Sequence, residues 1–238
     1  MQSNEHLSLF VPLKDHLVEL ELSHIAFECS FNFLGDLKHL QKLILTQCQF
    51  KPSSSKPKFN GVNNQLMHLD LSECNLQIDD ETMFDDLKCL KYLDIRQNNA
   101  RDVLPNLFKH LSQLETLKLN MRTAEQPFTP LPNDSFKHLS KLQELFLECV
   151  QLNENSSRIF SPLKRLSKLS IFYSKLSDKS MQSISNLREL RLRTVTGITI
   201  DKRLFKNHPN LVLLDLSTLV ETGSLFKVHL DFNVFDPW

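Results

Sequence analysis

The chain is dominated by one short pattern, LxxLxL, that recurs at nearly constant spacing over most of its length. Its copies begin at Leu17, Leu40, Leu66, Leu90, Leu114, Leu142, Leu166, Leu187 and Leu211. Successive copies start between 21 and 28 residues apart. A fixed period in this range predicts a solenoid, because each unit must stack on the next to bury an apolar face that it cannot bury alone.

The leucines of each copy alternate with variable residues, which is the period of a short β-strand with one buried face. Stacked units place these strands in parallel, and each parallel strand needs a return crossover before the next one begins. The sequence therefore predicts an α/β solenoid: a right-handed horseshoe with a parallel concave sheet of about eight to ten strands and an irregular or short-helical convex side.

A second pattern, FxxLxxL, precedes the strands and stays in step with them. It begins at Phe84, Phe108, Phe136 and Phe160, and Phe205 holds the same place before the last copy. Leu34 and Met181 fill this place in two other units, and Asn60 is the exception. One large apolar side chain per turn predicts a continuous buried row, the convex spine, on the outer side of the horseshoe.

The segments LPNLFKHLSQLETLKL and LPNDSFKHLSKLQELFL resemble the leucine-rich repeat family, in its typical subtype LxxLxLxxNxLxxLPxxxFxxLxx. That subtype is familiar from extracellular receptors and matrix proteins, including Toll-like and Slit-like ones. The resemblance implies a non-catalytic module that binds a protein or a glycan through its concave face. It specifies the fold more closely than the function, because the family serves unrelated proteins as a recognition scaffold.

The family's asparagine, three residues after the last strand leucine, is largely replaced in this chain. Its place holds Ile25, Cys48, Cys74, Asn98, Arg122, Val150, Ser174, Val195 and Leu219. Asn98 and the two cysteines can bond the backbone of neighbouring turns, whereas the apolar residues cannot. An irregular horseshoe is therefore expected, particularly in its second half.

We expect one domain over residues 1–238, with repeats over about 11–219 and a terminal strand in 220–238. The ending Asp236-Pro237-Trp238 resembles the opening of a cysteine-rich C-terminal cap, which would make the chain part of a longer protein. The first residues lack the basic and apolar regions of a signal peptide, and no stretch approaches the roughly 18 apolar residues of a membrane span.

Composition argues against an enzyme with a cofactor. The four glycines form no phosphate-binding loop, and HExxH and GxSxG are absent. Five cysteines without a CxxC pair disfavour a disulfide framework or a zinc site. Basic and acidic residues balance at 28 each, so no overall basic field would attract nucleic acid.

The variable strand positions should project from the concave sheet, and several are aromatic or basic in the middle and late strands. These candidate ligand-binding residues are Phe146, Lys168, Phe172, Tyr173, Arg188, Arg191 and Arg193. Aromatic residues beside arginines are typical of interface hot spots and predict a protein ligand, with acidic character complementing the arginines. Alternatively, Phe146 and Phe172 merely pack on each other across neighbouring strands.

Two locations remain open from the sequence. The repeat subtype favours an extracellular or cell-surface module, for which Asn133 and Asn155 are candidate N-glycosylation sites in Asn-X-Ser sequons. The absent signal peptide and odd cysteine count favour an intracellular scaffold, adaptor or immune-sensor repeat region.

Overall fold

The computed structural model describes residues 8–27, 31–50, 59, 65–99, 104–120, 128–200 and 202–217. One strand arises from each LxxLxL copy: β1 (Glu19–Ser23), β2 (Lys42–Thr46), β3 (His68–Asp70), β4 (Tyr92–Asp94), β5 (Thr116–Asn120), β6 (Glu144–Glu148), β7 (Lys168–Phe172), β8 (Glu189–Arg193) and β9 (Leu213–Asp215). The nine strands form one sheet in chain order, and every pair is parallel. The predicted α/β solenoid and its strand number are confirmed.

The register of the sheet follows the repeat. Leu20 pairs with Leu43, and Leu43 pairs with Leu69, so that equivalent leucines stack in one column. Leu43 and Leu69 are fully buried. Because side chains alternate along a strand, the residues on either side of the buried leucine in each strand project from the concave face.

The return segments on the convex side contain little regular structure. They hold 3₁₀ turns at Ser8–Leu13, Phe31–Asp36 and Glu154–Arg158, and the one-turn helices α1 (Asp178–Met181) and α2 (Lys202–Phe205). Two short parallel pairings, Ala26–Phe27 with Gln49–Phe50 and Thr129–Pro130 with Val150–Gln151, follow the main strands. This agrees with the predicted irregular or short-helical convex side.

The convex spine is continuous through the middle of the solenoid. Buried members of the spine are Leu34, Phe84, Phe108, Phe136, Phe160 and Met181. The ring centroids of Phe136 and Phe160 lie 6.3 Å apart, and Phe205 packs against the same core while remaining half-buried. The exception expected at Asn60 is filled one residue earlier, because the buried ring of Phe59 stacks on Phe84 at 6.0 Å.

Asn98 performs the bridging role of the family asparagine. Its side-chain oxygen accepts hydrogen bonds from the backbone N–H of Cys74 (3.2 Å) and Leu76 (2.9 Å). Its amide nitrogen donates to the carbonyl oxygens of Leu71 (2.7 Å) and Ile95 (3.1 Å). One buried amide therefore satisfies four backbone groups in two neighbouring repeats.

The cysteines at this position also bond the preceding turn. The Cys48 thiol lies 3.6 Å from the carbonyl oxygen of Leu22, and the Cys74 thiol lies 2.6 Å from that of Leu45. Burial raises the pKa of Cys74 to about 12, which keeps the thiol protonated as a donor. Ser174 acts similarly, since its hydroxyl accepts from Val150 N–H at 3.1 Å and donates to a backbone carbonyl.

In the shortest repeat, which starts at Leu166, a buried histidine replaces one backbone acceptor that the preceding repeat uses. Asn186 in that repeat has a positive φ of 61°, and the following Leu187 N–H donates to Nδ1 of His208 at 3.3 Å. In the preceding unit, the equivalent N–H of Leu166 bonds the backbone carbonyl of Leu163 instead. His208 is 4% exposed and takes the place that leucine occupies in FxxLxxL.

The stability of the last repeats should therefore depend on pH through His208. Burial lowers the pKa of this histidine below its usual value, and a protonated Nδ1 could not accept from Leu187. The unfolded chain binds this proton more readily than the folded chain does. The contribution of neutral His208 to the free energy of unfolding is therefore complete above about pH 6.5 and is lost as the pH falls below that value.

Replacing His208 by glutamine should flatten this dependence, because glutamine offers an acceptor that does not titrate. The measurement is the free energy of urea unfolding between about pH 7.5 and pH 5.5, where one proton contributes up to about 1.4 kcal/mol per pH unit. The exposed His110 provides the matched control, His110→Gln. Equal pH dependence in the wild type and in His208→Gln would contradict the assignment.

Some expectations fall on residues that are not described. They concern Arg122, Leu219, the terminal strand and cap in 220–238, and Asn60 itself. Nowhere in the described ranges is a helix long and apolar enough to cross a membrane.

Candidate functional site on the concave face

The concave face carries a row of aromatic rings and cations that crosses six strands, from β3 to β8. We call it the ring–cation row, and its members are His68, Tyr92, Arg96, Lys118, Phe146, Phe172 and Arg193. The parallel register aligns equivalent positions, so that His68 lies beside Tyr92 and Lys118 lies beside Phe146. Neighbouring parallel strands are about 4.8 Å apart, which brings each ring within reach of the next cation.

At its early end the row begins with a histidine stacked on a tyrosine. The rings of His68 and Tyr92 are nearly parallel, at 6°, with centroids 4.0 Å apart. Lys118 Nζ donates to the Tyr92 hydroxyl at 2.9 Å and lies 5.0 Å from the ring centroid. Partial burial, reinforced by Lys42, lowers the pKa of His68, so the stacked ring favours its neutral form.

A buried carboxylate organises the middle of the row. Asp94 is fully buried, and its two oxygens accept from the Arg96 guanidinium at 3.0 Å and 2.8 Å. Lys118 Nζ lies 4.0 Å from the same carboxylate. This hydrogen bonding raises the pKa of Arg96. Because an unpaired buried charge is strongly destabilising, Asp94 holds both cations in defined positions.

The aromatic centre of the row consists of Phe146 and Phe172. Their rings meet edge to face, with centroids 4.9 Å apart and planes at 77°. Arg96 lies 5.1 Å from the Phe146 centroid, and Arg193 lies 5.2 Å from that of Phe172. The two rings therefore make the alternative cross-strand contact that their positions allow, while both stay half-exposed.

The arginines and lysine at the late end already have carboxylate partners. Arg193 Nε donates to Asp215 at 2.8 Å, and this bond holds the pKa of Asp215 at about 2. Arg191 and Lys168 both pair with Glu189, at 2.7 Å and 3.2 Å. Because their charges are paired, these cations give the concave surface its shape and its directed hydrogen-bond donors more than a net positive charge.

Three of the seven predicted residues, Phe146, Phe172 and Arg193, belong to the ring–cation row, and Lys168 and Arg191 lie on its strands β7 and β8. The other two lie apart from it. Tyr173 follows Phe172 in a left-handed turn with φ 46° and is 54% exposed, at the end of the strand. Arg188 precedes β8 and lines a groove at the opposite, strand-beginning edge of the sheet. Asn133 and Asn155 are both exposed, as a glycosylation site requires.

Sequence reasoning missed His68, Tyr92, Arg96 and Lys118 as part of the same surface. The available signal was their place in the repeat: His68, Tyr92 and Lys118 occupy variable strand positions beside residues of neighbouring repeats, and Arg96 follows β4 two residues after Asp94. Within the described part of the chain no group of histidine, cysteine or acidic residues is arranged to hold a metal ion.

Comparison with known proteins identifies the repeats. Residues 64–121 match the family model for the leucine rich repeat. A probable glycoprotein hormone G-protein coupled receptor of Anthopleura elegantissima is 25% identical, over 99% of this chain and 26% of its own length. Toll-like receptor 3 of Boselaphus tragocamelus is 27% identical, over 85% of this chain and 26% of its own length.

Solved structures share the fold. The structure of the Toll–Spatzle complex of Drosophila has a TM-score of 0.67 at 22% identity, covering 89% of this chain and 29% of that one. The TLR13–ssRNA13 complex has a TM-score of 0.61 at 20% identity, covering 91% and 38%.

Residues 64–121 carry the leucine rich repeat, and the chain as a whole is similar in sequence to a Toll-like receptor and shares the fold of Toll. The chain spans about a quarter of the length of these two curated relatives. By name the two relatives are receptors, which supports a receptor-like ligand-binding repeat module.

Proposed function

We propose that this chain is a non-catalytic recognition module that binds a protein ligand through its concave face, as part of a cell-surface or secreted receptor-like protein. Residues 1–238 would form one repeat domain. The contact would be centred on Phe146, Phe172 and Tyr173, with Lys168, Arg191 and Arg193 beside them. The receptor relatives favour this location over an intracellular scaffold, and the exposed Asn133 and Asn155 are the glycosylation sites to test there.

The observation that carries the proposal is the ordered aromatic centre. Phe146 and Phe172 occupy positions where a solvated sheet face is usually polar, and cations fix both rings from either side. Rings held in this way lose little conformational freedom on binding, so their desolvation contributes to affinity. The exposed Tyr173 adds an aromatic contact with a polar hydroxyl, which is typical of interface anchors.

A protein ligand fits this face better than a nucleic acid does. Glu21 is exposed on the same face, Asp70 and Glu148 are half-buried there, and Glu73 is exposed in the turn that follows β3. These carboxylates would repel a phosphate backbone, whose neutralisation dominates nucleic-acid affinity. Among the solved structures of similar fold, Toll is complexed with Spatzle, whereas TLR13 is complexed with single-stranded RNA.

The proposal is tested by selecting binders from a displayed library of extracellular protein domains on the immobilised chain. Binding should weaken by about tenfold or more for Tyr173→Ala and for Phe172→Ala combined with Arg191→Glu, since each removes an anchor worth at least about 1.4 kcal/mol. Affinities are measured by biolayer interferometry, and unfolding curves show that the variants remain folded.

Lys137→Ala, an exposed change on the convex side, is the matched control and should leave binding unchanged. If the selected binders bind both concave-face variants as tightly as the wild type, the site lies elsewhere. Preferential recovery of single-stranded RNA in a parallel selection would favour the nucleic-acid alternative.

A further inference from the structure

An open groove lies at the strand-beginning edge of the last three repeats, separate from the ring–cation row. Its volume is about 700 Å³, and its lining includes three cations, Lys164, Arg165 and Arg188. Arg165, Asn186 and Asn210 occupy equivalent places before three successive strand leucines. The backbone ladder stacks these repeats, since Arg188 N–H donates to Ser167 and Val212 N–H donates to Arg188.

The charges of the groove differ from those of the concave face. Among the described residues, no acidic side chain lines the groove, and no carboxylate lies within ion-pair distance of its three cations. On the concave face, by contrast, Arg96, Arg191 and Arg193 each hold a carboxylate. The groove therefore gathers three cations that have no carboxylate partner among the described residues and can offer their charge to a ligand.

The remaining lining indicates which kind of anion fits. Asn186 and Asn210 provide amide groups, which can donate to and accept from a peptide backbone. Val212 is 72% exposed and Leu211 is half-buried, so an aliphatic side chain of a ligand would find apolar contact there. The lining residues that the structure describes include no aromatic ring on which a nucleic-acid base could stack.

We propose that this groove binds an acidic peptide segment of a protein partner. The carboxylates of the segment would pair with Arg165 and Arg188, which can each form bidentate contacts, and with Lys164. An aliphatic side chain of the segment would lie on Val212, and its backbone would bond Asn186 and Asn210. This second site does not depend on the concave-face site.

The probe is a short fluorescent peptide of glutamates and glycines with one central leucine, titrated with the whole chain by fluorescence anisotropy. Binding should weaken as salt rises, because exposed charges are screened. It should weaken by about tenfold or more in the double variant Arg165→Glu/Arg188→Glu, since two attractions become repulsions. Val212→Ser should weaken it by a smaller factor. Arg188→Gln repeats the test if the double variant does not fold.

Lys88→Glu/Lys137→Glu is the control, since it makes the same charge change at exposed lysines elsewhere. Retained binding in this control and in Tyr173→Ala is expected. Absent peptide binding, or equal loss in the lysine control, would overturn the proposal. Tighter, groove-dependent binding of a heparin oligosaccharide or of single-stranded RNA would also overturn it, by assigning the groove to another ligand.

Discussion

Replacing Phe136 with alanine is expected to lower the free energy of unfolding by about 3–5 kcal/mol. Phe136 is fully buried in the convex spine and stacks on Phe160. Its removal deletes the transfer free energy of a large ring and leaves a cavity between stacked repeats, whose backbone ladder prevents full collapse. Urea unfolding followed by circular dichroism measures the loss.

Phe205→Ala is the comparison, because Phe205 belongs to the same spine but is half-buried in the last described turn. It should destabilise the chain by less than Phe136→Ala does. Equal losses, or a loss below about 1 kcal/mol at Phe136, would show that the spine does not act as one core.

Replacing Asn98 with alanine is expected to destabilise the chain by at least about 3 kcal/mol, although this residue is polar and small. Its amide satisfies the N–H of Cys74 and Leu76 and the carbonyls of Leu71 and Ile95. A buried group left unpaired costs about 1–3 kcal/mol, and water can recover only part of four such losses.

Hydrogen exchange tests this locally, because the amides of Cys74 and Leu76 should lose protection before the rest of the sheet. Asn99→Ala is the matched control. Asn99 is the exposed neighbour, and among the described residues its side chain bonds Asn75 alone. A control variant as destabilised as Asn98→Ala would contradict the bridging role.

Much of the fold could be predicted because the repeat is a local and periodic pattern. The alternation in LxxLxL specifies the buried face of each strand, and its period specifies how strands such as β1 and β2 align. The spacing of Phe84, Phe108 and Phe136 likewise predicts the spine. The strand and spine positions can be predicted without knowing the loop structures, because each turn packs against its neighbours in the same way.

The lengths and paths of the loops determine details of packing that the repeat pattern could not predict. The placement of Phe59 rather than Asn60 in the spine depends on the path of an insertion, which no spacing rule specifies. The role of His208 depends on the short preceding repeat, whose altered turn redirects the N–H of Leu187.

The candidate site, too, could be predicted from the sequence only in part. Sequence by itself determined that Phe146 and Phe172 face the concave side, because strand alternation assigns them to that face in any solenoid of this period. It could not determine their partners. Only the tertiary structure showed that Asp94 is buried between two cations, that Arg193 is held by Asp215, and that Arg188 lies at the strand-beginning edge. The physical reason is that orientation follows from the period of one strand, whereas pairing of charges and rings depends on side-chain contacts, most of them between repeats more than twenty residues apart.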